Sequence, residues 1–95
     1  MEDEIPESGS SIQVLEVVEE RCRAIVDGRL DPVAGAAQIW QRCVFHRHIP
    51  EVLRFIGLVS EWDDWPELRS DYEGDILAYA ADVLARRTES YRPTG

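Results

Sequence analysis

The residues whose types are best suited to binding or catalysis lie in the segment 60–66, directly after an apolar run. Two of the three tryptophans of the chain and three carboxylates fall within these seven residues: Ser60, Glu61, Trp62, Asp63, Asp64, Trp65 and Pro66. The segment is typical of a helix–helix junction, in which Ser60 or Asp63 caps the next turn and the tryptophans close one end of the fold. It also suits a binding edge, in which one exposed tryptophan anchors a partner and carboxylates surround it. The relative exposure of the two tryptophans decides between these interpretations.

A divalent-metal site is a second hypothesis for the same acidic region. Its candidate ligands are six carboxylates, the ligand type that Mg²⁺ and Ca²⁺ prefer: Glu61, Asp63, Asp64, Asp71, Glu73 and Asp75. The calcium loop of an EF-hand does not fit, because the segment 71–75 places its glycine too early in the loop. If this segment is helical, Asp71 and Asp75 share a face and Glu73 points away. A solvated acidic face is therefore favoured over a specific metal site.

A zinc site is a third hypothesis, with Cys43, His46 and His48 as ligands and Cys22 as a fourth. Cys43 and His46 stand three residues apart, so both side chains could face one ion from a helix. Both cysteines also fit the apolar stripes of predicted helices, and they form no CxxC pattern. We therefore favour two reduced core thiols over a metal site.

The sequence contains no combination of residues that is typical of catalysis. Ser60 lacks the glycine-flanked turn of a nucleophile elbow. Cys43 and His46 could form an activated thiolate pair, but no third group is evident to orient the imidazole. We therefore predict a protein that is not an enzyme, with no catalytic residue, no metal and no cofactor.

The charge of the chain is strongly negative and unevenly distributed. The formal net charge is −9. Four carboxylates lie in the first seven residues, and the region 61–75 holds seven carboxylates against Arg69 alone. Such a field repels nucleic acid and anionic membranes and accelerates encounter with a basic protein. The predicted partner is therefore a basic protein, with neither nucleic acid nor membrane involved.

The composition indicates one globular domain of 95 residues in the cytoplasm. The apolar fraction of 44% is ordinary for a folded domain, and no apolar run approaches the length of about 20 residues that spans a membrane. The first four residues are acidic apart from Met1, whereas a secretory signal begins with basic residues. We predict a disordered acidic arm over 1–9, a single helical domain over 10–87 and a frayed tail over 88–95.

Apolar periodicity and capping residues predict an all-α protein, a small antiparallel bundle of four helices over about 11–27, 32–47, 50–60 and 67–87. Ser10 and Gln13 form a capping box before the first helix, and Gly28 ends it. Asp31 and Pro32 form an N-cap and first-turn pair for the second helix. The expected buried stripes follow spacings of three and four: Ile12, Leu15, Val18, Cys22 and Ile25; Val33, Ala36, Ala37, Trp40 and Val44; Val52, Leu53, Ile56 and Val59; Ile76, Leu77, Ala80, Val83 and Leu84.

Three motifs together resemble a group of short bacterial proteins of uncharacterised function. The motifs are a Gly-Arg-Leu at 28–30, a Gly-Ala-Ala at 35–37 and the segment 55–66, which fits the pattern F-x-G-[IL]-x-S-E-x-D-x-x-P. The resemblance covers roughly residues 25–85 and depends mostly on Ser60, Glu61, Asp63 and Pro66. Tryptophans at 62 and 65 and the acidic leading arm depart from the pattern. The resemblance implies a small helical bacterial protein and carries no activity with it.

The preferred function is a non-enzymatic protein-binding module, whose most specific version is an immunity-type or antitoxin-like inhibitor of a basic toxin. Its predicted binding surface is Glu61, Trp62, Asp63, Asp64, Trp65, Glu67 and Asp71. One alternative is a divalent-metal-binding protein or metal-dependent enzyme that uses the acidic cluster 61–75. The other is a self-associating structural protein, such as a homodimer.

Overall fold

A computed structural model describes residues 5–90 of the chain, with side chains described through residue 87. Within this range the chain forms four α-helices and two short 3₁₀ helices: α1 (Ser11–Val26), α2 (Pro32–Arg42), a 3₁₀ turn (Val44–His46), α3 (Pro50–Asp64), a second 3₁₀ turn (Pro66–Leu68) and α4 (Arg69–Ser90). Helix α1 packs most closely against α4, and α2 packs most closely against α3. The predicted small antiparallel four-helix bundle is therefore confirmed.

The N-caps predicted for α1 and α2 are present. The Ser10 hydroxyl accepts a hydrogen bond from the Gln13 amide at 3.1 Å. The Asp31 carboxylate accepts from the amides of Val33 and Ala34 at 3.0 and 3.1 Å. Gly28 follows α1 with a φ of 80°, a backbone conformation that glycine adopts without steric cost. Short-range sequence signals therefore fix both ends of α1 and the start of α2.

The buried faces differ in part from the predicted stripes. In α1 the core residues are Val14, Val17, Val18, Cys22 and Ile25, whereas Ile12 is 69% exposed. In α2 the core residues are Gly35, Ala36 and Ile39, and the predicted face residues Val33, Ala37 and Trp40 stay partly exposed. The reason is that the small residues of α2 turn toward α1: a Cβ added to Gly35 would lie 2.6 Å from Ile25 Cδ1. The helix ends at Arg42, before the predicted end at 47, so Val44, also partly exposed, lies in the 3₁₀ turn.

Helices α3 and α4 complete the core. Phe55 is fully buried, and its ring meets that of Tyr79 edge-on at 5.0 Å between centroids. The other buried side chains of the two helices are Val52, Ile56 and Leu58 on α3 and Ile76, Ala80 and Val83 on α4. Two predicted core residues, Leu53 and Leu77, are exposed instead. Aromatic and aliphatic packing between α3 and α4 thus fixes the position of the acidic segment between them.

The leading arm differs from the prediction of disorder over 1–9. Ile5 is only 3% exposed, and its amide donates to the Arg42 carbonyl at 2.7 Å. The buried His46 ring donates from Nε2 to the Pro6 carbonyl at 2.8 Å. Ile5 and Pro6 therefore lie against the end of α2 and the following 3₁₀ turn. The rest of the predicted arm, residues 1–4, is outside the described range.

The predicted tail differs as well, because α4 continues through Ser90. Residues 91–95 of that predicted tail are outside the described range. Within residues 5–90, no helix is both long enough and apolar enough to cross a membrane.

Candidate functional site

The segment 60–66 belongs mainly to α3, not to a loop between helices. Helix α3 extends to Asp64, four residues beyond the predicted end at 60. Ser60 and Asp63 therefore lie inside a helix, and neither caps the next one, so this part of the junction prediction is wrong. The 3₁₀ turn that follows has Trp65 at its N-cap and no side-chain capping bond. The end of α3 consequently presents its side chains at helical spacing.

Trp62 connects α3 to α4 through three interactions. Its indole Nε1–H donates to the Glu73 carboxylate at 3.0 Å. The Arg69 guanidinium lies over the indole ring at 4.2 Å from its centroid, within the range of a cation–π interaction. Arg69 Nε–H also donates to the Trp62 carbonyl at 3.3 Å. Trp62 is therefore a structural residue that holds the start of α4 against the end of α3.

Trp65 has a different environment three residues later. It is 51% exposed, and Leu68 beside it in the 3₁₀ turn is 39% exposed. The two residues are linked through the backbone, because the Leu68 amide donates to the Trp65 carbonyl at 2.9 Å. The pair of tryptophans is thus divided between the two roles, with Trp62 packed and Trp65 presented to solvent.

Most predicted acidic site residues lie close to Trp65 in sequence, within six residues of it. Glu61, Asp63, Asp64, Glu67 and Asp71 are all exposed. Within residues 5–90, none of these five carboxylates takes part in an ion pair. Glu73 is partly buried at Trp62 instead. The set Glu61, Asp63, Asp64, Trp65, Glu67, Leu68 and Asp71 is called the acidic face below.

The field of this region also acts on Tyr72 at the start of α4. Partial burial raises the pKa of Tyr72, and the carboxylates of Glu61 and Asp75 raise it further. Both effects favour the neutral phenol over the phenolate. The raised Tyr72 pKa therefore reflects burial first and the neighbouring carboxylates second, and Glu61 also accepts a hydrogen bond from the phenol.

The metal hypotheses gain no support from the geometry. Across residues 5–90, no three His, Cys, Asp or Glu side chains come together as a group that could hold an ion. Within the same residues, the six candidate carboxylates do not converge, and Cys22, Cys43, His46 and His48 do not form a zinc set. His46 instead holds the leading arm through Pro6.

The two cysteines are buried free thiols. Burial raises the pKa of Cys22 to about 12, and Glu19 and Glu51 add to the shift. Burial also raises the pKa of Cys43. Both shifts oppose formation of the thiolate, which is the nucleophilic form. An activated pair of Cys43 and His46 therefore does not fit this structure.

A groove between α2 and α3 was not anticipated from the sequence. It is lined by Val33, Ala37 and Trp40 on α2 and by Val59 and Trp62 on α3, with Asp63 and Asp64 at one end. The spacing of Ala37 and Trp40 in the sequence already placed both residues on one face of α2. The prediction had that stripe facing the core.

Comparison with models of known protein families, with curated proteins and with solved structures found no match for this chain. The resemblance to short bacterial proteins drawn from the motifs at 28–30, 35–37 and 55–66 stays a prediction.

Proposed function

We propose that the chain is a non-enzymatic protein-binding module whose acidic face docks on a basic protein in the bacterial cytoplasm. The most specific version of the proposal is an immunity-type or antitoxin-like inhibitor. The observation that carries it is the exposure of Trp65 and Leu68 among carboxylates without ionic partners. Interfaces concentrate their binding energy in a few such aromatic anchors, which polar residues surround.

The contrast between the tryptophans supports this assignment. Trp62 has a hydrogen-bond partner for its N–H and a guanidinium over its ring. Trp65 is half exposed at the end of α3. Large aromatic side chains are costly to leave in water, so a half-exposed tryptophan three residues from an exposed leucine supports the proposal of a contact surface here.

The charges at the end of α3 give a second, electrostatic argument. The last turn of α3 contains Asp63 and Asp64 and no basic residue. Carboxylates at a helix C-terminus oppose the helix dipole, which favours cations there. Arg69 supplies one positive charge at this helix end through its bond to the Trp62 carbonyl, and a basic partner would supply more and further relieve this unfavourable arrangement. The same charges would accelerate its association through long-range attraction.

The experiment is affinity capture from a cytosolic extract of the source organism, with three forms of the chain as bait. The wild-type chain should retain a basic protein, and Trp65→Ala should lose it. Leu53→Ala is the matched control, because Leu53 is 55% exposed but lies on α3 outside the acidic face. We expect Trp65→Ala to weaken affinity for the purified partner by about 30-fold or more, as truncation of a hot spot does. Equal capture by all three baits would contradict the proposal.

A partner of the toxin type adds a functional readout. The wild-type chain should suppress the activity of the captured protein at equimolar ratio, and Trp65→Ala should require a large excess. Binding without any effect on the partner's activity would retain the binding module and exclude the inhibitor version.

A further inference from the structure

We infer that the groove between α2 and α3 receives a basic amphipathic helix of the partner. The groove consists of two overlapping parts of about 400 and about 460 Å³. Both parts are lined by Ala37, Trp40 and Val59. Trp40 packs on the core with part of its ring surface, and the remainder is open to the groove. This inference rests on the proposed function and specifies which element of the partner binds.

The length of the groove suits a short helix. On α2 and the turn after it, the lining residues Val33, Ala37, Trp40 and Val44 recur at spacings of four, three and four. Val33, Ala37 and Trp40 lie on α2 and form one stripe of about 10 Å at the rise of about 1.5 Å per residue of an α-helix, and Val44 lies in the 3₁₀ turn beyond the end of α2. Amphipathic helices bind such grooves through apolar residues at the same spacing.

The backbone chemistry favours a helix over an extended peptide. The walls of the groove are α-helices, whose backbone groups are already paired along the helix. An extended segment in this apolar groove would find no sheet edge to pair with, and its amides would lose water without replacement. A helix satisfies its own amides internally, so it can bury an apolar face at no such cost.

The charge at one end determines the character of the occupant. Asp63 and Asp64 line the groove where α3 ends, and both are exposed. The opposite end is neutral, with Gln41 and Val44. A helix with basic residues toward the end of α3 is therefore complementary. A second copy of the chain is not, because its net charge of −9 repels the first.

The test uses a synthetic helical peptide with leucines on one face and lysines elsewhere, and a control peptide in which glutamates replace the lysines. Two-dimensional NMR of the wild-type chain should show that the lysine peptide shifts the Ala37 and Val59 methyl signals and the Trp40 indole signal. The glutamate peptide should leave them unchanged. This readout needs no variant of the protein.

A matched pair of variants locates the site independently. Ala37→Lys extends a positive side chain into the groove, and we expect it to weaken binding of the lysine peptide by about tenfold or more through steric and like-charge repulsion. Ala78→Lys makes the same change at an exposed position of α4 outside the groove and should bind as the wild type does. Circular dichroism would verify that both variants keep their helical content.

Any one of three results with the peptide would overturn the inference: no binding of the lysine peptide, equal binding to Ala37→Lys and wild type, or shifts confined to Trp65 and Leu68. Shifts at the groove that depend on protein concentration without peptide would also overturn it, in favour of self-association. If the peptide fails while capture still depends on Trp65, the proposed function stands and the groove assignment falls. If the peptide binds in the groove but Trp65→Ala captures the partner normally, the groove assignment stands and the role of the acidic face in the proposed function falls.

Discussion

Replacing Trp62 with phenylalanine removes the indole N–H that donates to Glu73 at 3.0 Å and keeps an aromatic ring in place. A hydrogen bond to a charged group contributes about 1.5–3 kcal/mol, and the partial exposure of Glu73 reduces this to about 1 kcal/mol. Phenylalanine also attracts the Arg69 guanidinium less than tryptophan does, which costs roughly another 0.5 kcal/mol. We therefore expect the free energy of unfolding to fall by about 1.5 kcal/mol.

Urea denaturation followed by circular dichroism measures this change, and thermal unfolding should show a melting temperature lower by about 6–12 °C. A double-mutant cycle with Glu73→Ala should give a coupling energy of about 1 kcal/mol between the two side chains. Trp65→Phe is the control and should stay within about 0.5 kcal/mol of wild type, because Trp65 is half exposed. A Trp62→Phe variant as stable as wild type, or a coupling energy of zero, would refute the structural role of Trp62.

Three further predictions concern the backbone, acid stability and the thiols. Gly74→Ala should raise the free energy of unfolding by about 0.5–1 kcal/mol, because the added Cβ meets no atom within 4 Å inside α4. Gly28→Ala should lower the free energy of unfolding by about 1–2 kcal/mol, because a φ of 80° is strained for alanine. Chemical denaturation measures both variants, and a change of the same sign in Gly74→Ala and Gly28→Ala would contradict the reasoning. A hydrogen bond from Arg87 lowers the pKa of Glu19 below its ordinary 4.5, so Glu19 stabilises the fold above that pH and the contribution disappears as pH falls through the folded pKa. Glu19→Gln should therefore be less stable at pH 7 and approach wild type in acid, and a pH-independent difference in melting temperature would be evidence against this. Burial raises the pKa of Cys22 to about 12, so iodoacetamide at pH 8 should modify the thiols of the folded chain far more slowly than those of the chain unfolded in urea. Rapid modification without denaturant would show that the thiols are accessible.

The sequence predicts the ends of the helices where a local signal exists. Ser10, Gly28 and Asp31 act through backbone groups within four residues, so their roles do not depend on tertiary packing. The sequence predicts an end of α3 at residue 60, whereas the helix continues to Asp64. Pro66 restricts mainly the residue before it, and Trp65 alone leaves the helical conformation with a φ of −123° and a ψ of 77°. The acidic residues before it remain helical.

The roles of the two tryptophans could not be predicted from the sequence, because they depend on how α4 packs on α3. The partner of Trp62 is Glu73, eleven residues later and on another helix. A local pattern does not specify that pairing. Only the packing shows which tryptophan faces α4 and which faces water.

The leading arm illustrates the same limit. Ile5 is the one apolar residue among residues 2–9 apart from Pro6, and a single residue gives no periodic signal. Its amide bonds to the end of α2 at Arg42, and the carbonyl of the next residue, Pro6, bonds to His46, forty residues away in sequence. Acidic composition alone predicted disorder there, and a long-range contact overrides it.

The proposal that the acidic face docks on a basic protein is tested most directly by the salt dependence of association. The rate constant for binding of the captured partner is measured by stopped-flow tryptophan fluorescence between about 20 and 300 mM NaCl, where the screening length falls from about 20 to about 6 Å. If the unpaired carboxylates around Trp65 steer the partner, the association rate constant should fall by about tenfold or more across this range, with little change in the dissociation rate constant. An association rate constant that does not change with salt would contradict the account.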